Sequence, residues 1–273
     1  MQMDPESIPA QKEGVGLYKN ILLVLLFAFA LFAEEPWGMI LGYHRIVKKK
    51  KFNPDVTAAS FEAQLQFLKA NYRVISLEEL VRHIKEKIPL EANSVVITLD
   101  DGDESIYKNA YPILKKEKLP ATVFLYSNYP GWGGISWNQV KEMSDNGISF
   151  GSHTKSHAIL NSKNKGESEE KYLGRLRAEL VDSKKIIEEK TGKEVVYLAY
   201  PFGKHNEVVD AEVLKAGYLA ATGTAWDRNY VSTASPVNLK RRIIPGKYKL
   251  TEFVDIFKKT DVDKSAETQH EDY

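Results

Sequence analysis

The chain alternates between short runs of consecutive apolar residues and longer stretches in which apolar residues recur with helical spacing. Strands that are apolar on successive residues are buried on both faces, as in parallel sheets whose strands are joined by helices. Seven such runs occur, at residues 39–43, 95–99, 121–125, 148–151, 195–199, 219–222 and 241–244. The pattern predicts an α/β fold with a parallel sheet of seven or eight strands, closed into a single barrel.

The predicted helix boundaries agree with this fold. Ser76 with Glu79, and Ser136 with Gln139, form the pattern in which a serine caps the first turn of a helix and an acid or amide follows three residues later. Helices commonly end at a glycine, which adopts the left-handed conformation without strain. Such glycines precede three of the predicted strands, at Gly147, Gly192 and Gly217.

An apolar run near the N-terminus is a candidate targeting signal. The apolar run at residues 21–33 ends before Glu34, and as a helix it would cover roughly 20 Å, less than the roughly 30 Å of a bilayer core. A signal peptide is therefore the leading interpretation, with a short membrane anchor or a buried core segment as alternatives. We expect a leader at residues 1–33, one folded domain at residues 38–260 and a charged tail at residues 261–273, in an exported protein at the cell surface, in the periplasm or in the medium.

Composition narrows the classes of ligand. The chain has 38 basic and 37 acidic residues, and this balance argues against nucleic acid as a partner. It has no cysteine, so any metal must be bound by histidine and carboxylate side chains. We expect a monomer that contacts a membrane only through an uncleaved anchor.

Four carboxylates lie within residues 100–104, directly after the strand predicted at residues 95–99. Catalytic groups in α/β barrels gather at the C-terminal ends of strands. One interpretation is that Asp101 or Asp103 caps the following helix while the others are solvated. The other is a bound cation, which offsets the repulsion between adjacent carboxylates and leaves one of them free as a base.

Two histidines, His153 and His157, follow the strand predicted at residues 148–151. Their spacing would place both rings on one face of a helical turn, where they can share an ion, although a pair of surface histidines is the alternative. Combined, two histidines and one aspartate make a three-ligand site with an open position for water, typical of catalytic zinc or another divalent metal.

The segments Thr-Leu-Asp-Asp-Gly at residues 98–102 and Ser-His-Thr-Lys-Ser-His at residues 152–157 resemble the first two motifs of polysaccharide deacetylases, the NodB-homology family. The resemblance extends through Trp137 and residues 42–45, 61–68, 72–76, 112–114 and 199–203. The segment at residues 42–45 resembles the branch that includes poly-N-acetylglucosamine deacetylases. The resemblance implies a distorted (β/α) barrel of about seven strands that hydrolyses the N-acetyl groups of peptidoglycan or poly-N-acetylglucosamine and releases acetate.

The resemblance also implies roles for individual residues. Asp101, His153 and His157 correspond to metal ligands, and Asp100 corresponds to the base that deprotonates the attacking water. The implied metal is divalent, with zinc expected first and cobalt, nickel or manganese as alternatives.

The segment at residues 199–203 resembles the third family motif, whose backbone N–H near Phe202 would help to hold the tetrahedral oxyanion. Tyr200 is assigned as a substrate contact in the same segment. Many members of the family have arginine where this chain has Ala199, so another side chain must orient the catalytic aspartate. The candidates are Arg241 and Arg242.

The proton donor for the leaving amine is not given by the resemblance, because the late leucine-x-histidine motif of the family is absent. A histidine with a pKa of about 6.5 can donate near neutral pH. His44 follows the first predicted strand toward the face that carries Asp100, whereas His83 lies on a charged helix, His205 in a loop and His270 in the tail. We predict His44 as the donor, with a structural histidine at the barrel mouth as the alternative.

Aromatic residues follow the strand predicted at residues 121–125, and sugar rings commonly stack on aromatic faces. We expect Trp137, which opens a capped helix, to pack in the core. Trp132 lies between two glycines and either lines a substrate groove or packs in the core.

Two other functions are consistent with the sequence. One is a glycan-binding protein impaired in turnover, motivated by Ala199 and the missing late histidine, and the other is a different metal-dependent barrel hydrolase. Release of acetate from a chitooligosaccharide would separate deacetylation from both.

Overall fold

The core of the protein is a mostly parallel β-sheet, seen in a computed structural model that describes residues 35–52, 54–131 and 133–258. The strands in this part of the chain are β1 (Trp37–Tyr43), β2 (Ile46–Val47), β3 (Val56–Thr57), β4 (Arg73–Val74), β5 (Ser94–Leu99), β6 (Thr122–Leu125), β7 (Ser149–Ser152), β8 (Tyr197–Ala199), β9 (Ala220–Thr222), β10 (Asn229–Tyr230) and β11 (Arg241–Ile243). Each of the seven predicted strands is present, with ends that differ by no more than two residues.

The sheet curls into a barrel. Its strands follow the order β10-β1-β5-β6-β7-β8-β9, and β11 pairs in parallel with β1. Leu239, shortly before β11, forms an isolated parallel bridge with Thr222 and donates its N–H to the carbonyl of Ala221 at 2.9 Å, so β9 and β11 are joined by a bridge rather than by a paired strand ladder. The predicted distorted (β/α) barrel of about seven strands is confirmed, and the distortion lies at this weak junction.

Helices pack around the strands. In the described residues they are α1 (Ala58–Asn71), α2 (Leu77–Glu86), α3 (Tyr111–Glu117), α4 (Trp137–Asp145), α5 (Glu169–Arg177), α6 (Ser183–Thr191), α7 (Glu207–Lys215) and α8 (Leu250–Asp255). Two π-helical segments, Ile106–Ala110 and Ala178–Asp182, precede α3 and α6, and 3₁₀ turns occur at Pro201–Gly203 and Pro236–Asn238.

The helix ends follow the sequence prediction. Ser76 accepts the N–H of Glu79 at 3.0 Å, and Ser136 forms the full reciprocal capping box with Gln139. The predicted terminal glycines have left-handed backbones, with φ of 91° at Gly147, 70° at Gly192 and 84° at Gly217.

Alternate residues of the central strands β1, β5 and β6 belong to two separate apolar clusters. Leu41, Ile97 and Val123 pack in the larger cluster, which includes residues of most surrounding helices. Val96 and Phe124 pack in the smaller one, together with apolar residues of α2. This alternation places one set of side chains inside the barrel and the other under the helices, which is why the strands are apolar on successive residues.

No helix in the described ranges is long and apolar enough to cross a bilayer. The predicted leader at residues 1–33, with its apolar run at 21–33, and the predicted tail at 261–273 lie outside the described residues, as does Trp132.

Candidate metal centre and catalytic site

The predicted site residues meet at the C-terminal end of the barrel. Asp100 and Asp101 follow β5, and His153 follows β7. Both strands pair with β6, so their ends lie on either side of the same strand. The parallel sheet therefore brings together side chains that are about fifty residues apart in the sequence.

Three side chains converge on one point. Oδ1 of Asp101 lies 3.7 Å from Nε2 of His153 and 3.6 Å from Nε2 of His157. One ligand atom from each residue lies within 4.8 Å of the others. This is the spacing expected of a carboxylate and two imidazoles that surround a common cation.

The donor set fits a divalent metal ion. Asp101 Oδ1 is buried and has no hydrogen-bond partner, which is costly for a carboxylate oxygen unless a cation faces it. His153 has its Nδ1 2.7 Å from the carbonyl of Ala199, an arrangement that directs the lone pair of Nε2 toward Asp101. Burial lowers the pKa of His153, so its imidazole is neutral and able to bind a metal.

The loop that carries the histidines is not a helical turn, so this part of the sequence prediction is wrong. Thr154 and His157 both have left-handed backbones, with φ of 68° and 61°. The rings still approach each other, with centroids 4.8 Å apart at an interplanar angle of 66°. A left-handed residue with a side chain costs roughly 1–2 kcal/mol, so the loop stores strain.

Asp100 lies beside the cluster of Asp101, His153 and His157, and an arginine holds its carboxylate. Nη1 and Nη2 of Arg241 donate to Oδ1 and Oδ2 of Asp100 at 2.6 and 2.7 Å, and both side chains are almost fully buried. Burial alone would raise the pKa of Asp100, but the charge and hydrogen bonds of Arg241 outweigh it and lower that pKa to about 2. Asp100 is therefore ionised and rigidly oriented, as a general base requires.

Arg241 thus provides the guanidinium that orients Asp100, which Ala199 cannot provide. Its Nε also donates to the carbonyl of Gly223 at 3.2 Å, and its guanidinium lies over the ring of Phe124. Arg242, the other sequence candidate, instead stacks on Trp226 at 4.1 Å.

Asp103 adopts the capping role considered for it. Its Oδ1 accepts the N–H of Ser105 at 2.8 Å, at the start of the segment that leads into α3. Of the four carboxylates after β5, Asp103 caps the helix, Glu104 forms an exposed ion pair with Lys108, and Asp100 and Asp101 face the histidines.

His44 lies next to Asp100. Tyr43 pairs with Leu99, and the carbonyl of Tyr43 accepts the N–H of Asp100 at 2.8 Å, so the next residue, His44, emerges at the same end of the barrel. The charge of His44 contributes to lowering the pKa of Asp100, and its Nδ1 is buried without a hydrogen-bond partner in the described part of the chain. The position is compatible with the predicted proton donor.

The third motif folds into a 3₁₀ turn beside His157. Phe202 is 54% exposed, has a φ of 58°, and its ring centroid lies 4.7 Å from that of His157. Tyr200 is fully buried, its hydroxyl lies 2.8 Å from Asp210 and its ring stacks on His205. The prediction that Tyr200 contacts substrate is therefore wrong, because its ring and hydroxyl are both used to support the loop.

Other aromatic residues border the site. Tyr126 and Tyr129 stack at 4.7 Å, and the ring of Tyr126 lies 5.5 Å from that of His157. Trp137 is partly buried and packs against the main core, as predicted.

Comparison with known proteins places the chain in a family. Residues 87–221 match the family described as polysaccharide deacetylase. A poly-β-1,6-N-acetyl-D-glucosamine N-deacetylase of Staphylococcus aureus is 32% identical over 206 residues, which cover 67% of this chain and 71% of the relative. The similar protein of Staphylococcus epidermidis is 32% identical over 196 residues, covering 64% and 68%.

Solved structures share the fold. A polysaccharide deacetylase from Bacillus anthracis, described as putative, is 29% identical with a TM-score of 0.69, covering 81% of this chain and 69% of that one. The Streptococcus pyogenes deacetylase PplD, in complex with acetate, has a TM-score of 0.73 at 24% identity, covering 82% and 99%. The chain therefore belongs to the polysaccharide deacetylase family and is a polysaccharide N-deacetylase.

Proposed function

We propose that this protein removes N-acetyl groups from poly-β-1,6-N-acetylglucosamine and releases acetate, with a divalent metal bound by Asp101, His153 and His157. The observation that carries the proposal is the unpartnered Oδ1 of Asp101, which faces both histidine Nε2 atoms at less than 4 Å. The names of the staphylococcal relatives support the choice of polymer.

Each residue in the proposed site has a separate task. When bound, the metal would polarise the acetamide carbonyl and favour ionisation of water. Asp100, kept ionised by Arg241, accepts the proton of the attacking water. The backbone N–H near Phe202 stabilises the developing oxyanion, and the exposed Phe202 ring contributes a surface for the sugar.

The amine must be protonated before it can leave, because an amide anion is a poor leaving group. We assign this step to His44, which lies beside Asp100 and is not one of the three proposed metal ligands. The proposed base, Asp100, and the proposed acid, His44, therefore follow two neighbouring strands, β5 and β1, at the same end of the barrel.

Zinc is the metal we expect, with cobalt, nickel or manganese as alternatives, since two imidazoles and a carboxylate with an open position are typical of catalytic zinc. We also propose that the protein is exported, because the apolar run at residues 21–33 has the length of a signal-peptide core.

The alternative of a glycan-binding protein that has lost turnover is less well supported. One reason for that alternative is that Ala199 stands where many family members have an arginine. Arg241 provides a guanidinium instead, in its ion pair with Asp100.

Acetate release from three polymers, compared under the same conditions, tests the choice of substrate. We expect the highest kcat/KM on β-1,6-linked N-acetylglucosamine oligomers, and lower values on chitooligosaccharides and peptidoglycan. The Asp100→Asn variant serves as the inactive control. Faster release from peptidoglycan would contradict the proposed substrate, and no release from any of the three would contradict deacetylation.

A further inference from the structure

The loop between His153 and His157 needs support from outside itself. Thr154 and His157 have left-handed backbones, and such a conformation is a rare exception for a β-branched residue like threonine. Within the loop, Thr154 Oγ1 accepts the N–H of His157 at 3.1 Å. This single bond joins the two strained residues to each other but does not attach the loop to the rest of the protein.

Glu179 attaches the loop through both of its carboxylate oxygens. Oε2 accepts the backbone N–H groups of Lys155 and Ser156, each at 2.9 Å. Oε1 accepts the hydroxyl of Ser156 at 2.6 Å. Glu179 is only 8% exposed, so these charge-assisted hydrogen bonds are largely protected from water. Two successive N–H groups that point at one oxygen form an anion-binding nest, here filled by the protein's own carboxylate.

The segment that carries Glu179 is π-helical. It spans Ala178–Asp182, between α5 and α6. Such π segments are rare in proteins overall, but those that occur are often found at functional sites. Ser183 follows directly and donates its hydroxyl to the carbonyl of Thr154 at 2.9 Å. Two side chains, Glu179 in the π segment and Ser183 at the start of α6, therefore hold the same loop.

The two histidines depend on this support to different degrees. His153 is fixed by the sheet, because its N–H donates to the carbonyl of Leu125 at 2.7 Å and its Nδ1 meets the carbonyl of Ala199. The ring of His157, within the described ranges, has only ring contacts and its approach to Asp101. The position of His157 Nε2 is therefore set by the backbone of the loop.

We propose that Glu179 is a positioning residue of the metal centre, and that its carboxylate holds the loop so that His157 can bind the metal together with Asp101 and His153. This inference rests on the proposed function, since it requires that the three residues bind a metal. Glu179 itself does not reach the metal position, and it acts through the backbone of Lys155 and Ser156.

The arrangement of donors allows a sharp test. Both backbone N–H groups bind Oε2, and only the Ser156 hydroxyl binds Oε1. A glutamine can therefore keep all three contacts, with its amide oxygen in place of Oε2 and its amide nitrogen donating to Ser156 Oγ. Glu179→Gln removes the charge but retains the geometry, whereas Glu179→Ala removes both.

Zinc affinity of the metal-free protein, measured by calorimetric titration, is the readout. We expect Glu179→Ala to bind zinc about 10- to 100-fold more weakly than the parent, as is usual when a residue that orients a metal ligand is lost, and Glu179→Gln to bind nearly as tightly as the parent. The matched control is Glu212→Ala. Glu212 is also a buried carboxylate, 3% exposed, and it pairs with Arg177 and Lys215, so its loss should lower the melting temperature and leave zinc affinity unchanged.

The outcomes separate this inference from the proposed function. Equal zinc affinity in the parent and in a folded Glu179→Ala protein would overturn the positioning role, as would a glutamine variant as weak as the alanine variant. If Glu179→Ala does not fold, Ser156→Ala provides the test, because it removes only the 2.6 Å contact and should weaken binding in the same direction. A parent protein that binds no zinc would overturn the proposed metal centre itself.

Discussion

Replacing Arg241 by methionine would remove the cation that neutralises Asp100 inside the barrel. Methionine retains most of the length of the side chain and its contact with Phe124. The main changes are the loss of the positive charge and of the two short hydrogen bonds to Asp100, at 2.6 and 2.7 Å, together with longer ones to the Gly223 carbonyl and the Thr98 hydroxyl, at 3.2 and 3.3 Å. Asp100 is 2% exposed and cannot recover this stabilisation from water.

The loss of stability follows from the burial of the ion pair. Two unit charges about 4 Å apart interact by about 4 kcal/mol at the effective dielectric constant of a protein, and removing one partner of a buried pair costs about 3–5 kcal/mol. For a domain of this size that corresponds to a melting temperature lower by roughly 10 °C. We also expect kcat to fall toward that of Asp100→Asn, because the base is no longer oriented or kept ionised.

The loss of stability should depend on pH with a definite sign. Asp100 has its pKa lowered to about 2 in the folded parent, so its ionised form contributes stability that is present above the usual pKa of 3.8 and is lost as the pH falls toward 2. Without Arg241, burial dominates and raises the pKa of Asp100. The difference in stability between the two proteins should therefore be largest at neutral pH and shrink in acid.

Urea unfolding of the metal-free proteins at several pH values, combined with kcat from acetate release, measures both effects. Arg242→Met is the matched control, since Arg242 is the next residue on β11 and is also buried but stacks on Trp226 rather than binding Asp100. Arg241→Lys should recover part of the stability, because it restores the charge without the bidentate geometry. An Arg241→Met protein within about 1 kcal/mol of the parent and with parental kcat would refute this account of the ion pair.

Three further predictions concern the site and the leader. Asp100→Asn should keep its metal and lose turnover by roughly 10²-fold or more, whereas Asp101→Ala and His153→Ala should lose metal. Elemental analysis and kcat, measured on the same samples, would show whether the roles of the two aspartates have been exchanged. His44→Ala should retain metal and stability but lose most of kcat, and near-parental turnover would remove His44 from the mechanism. The mature protein should begin near Glu34, as its mass would show, and full-length protein in the membrane fraction would favour the anchor instead.

The main strands could be predicted because each is buried on both faces and therefore apolar at successive positions. The strands that were not predicted, β2, β3, β4 and β10, contain two residues each and leave no such pattern. The proximity of Asp100 and Asp101 to His153 could be predicted by similar reasoning, since the C-terminal ends of parallel strands meet at one end of a barrel.

Other features of the site depend on contacts that a sequence does not display. The i, i+4 spacing of the histidines fits a helical turn, and nothing in the residue types announces the left-handed backbones at Thr154 and His157. Arg241 and Asp100 are 141 residues apart and meet only because β11 and β5 both pair with β1. Glu179 lies in an ordinary helical pattern, and its role depends on a π segment that no sequence period indicated.

The central claim is that one metal, bound by Asp101, His153 and His157, is required for deacetylation. Titration of the metal-free protein with zinc, while acetate release from a β-1,6-linked N-acetylglucosamine oligomer is followed, tests it most directly. Activity should rise in proportion to added zinc and reach a plateau at one equivalent per chain, and the Asp101→Ala protein should show neither uptake nor acetate. Full activity in the presence of a strong chelator, or zinc uptake by Asp101→Ala equal to that of the parent, would contradict the claim.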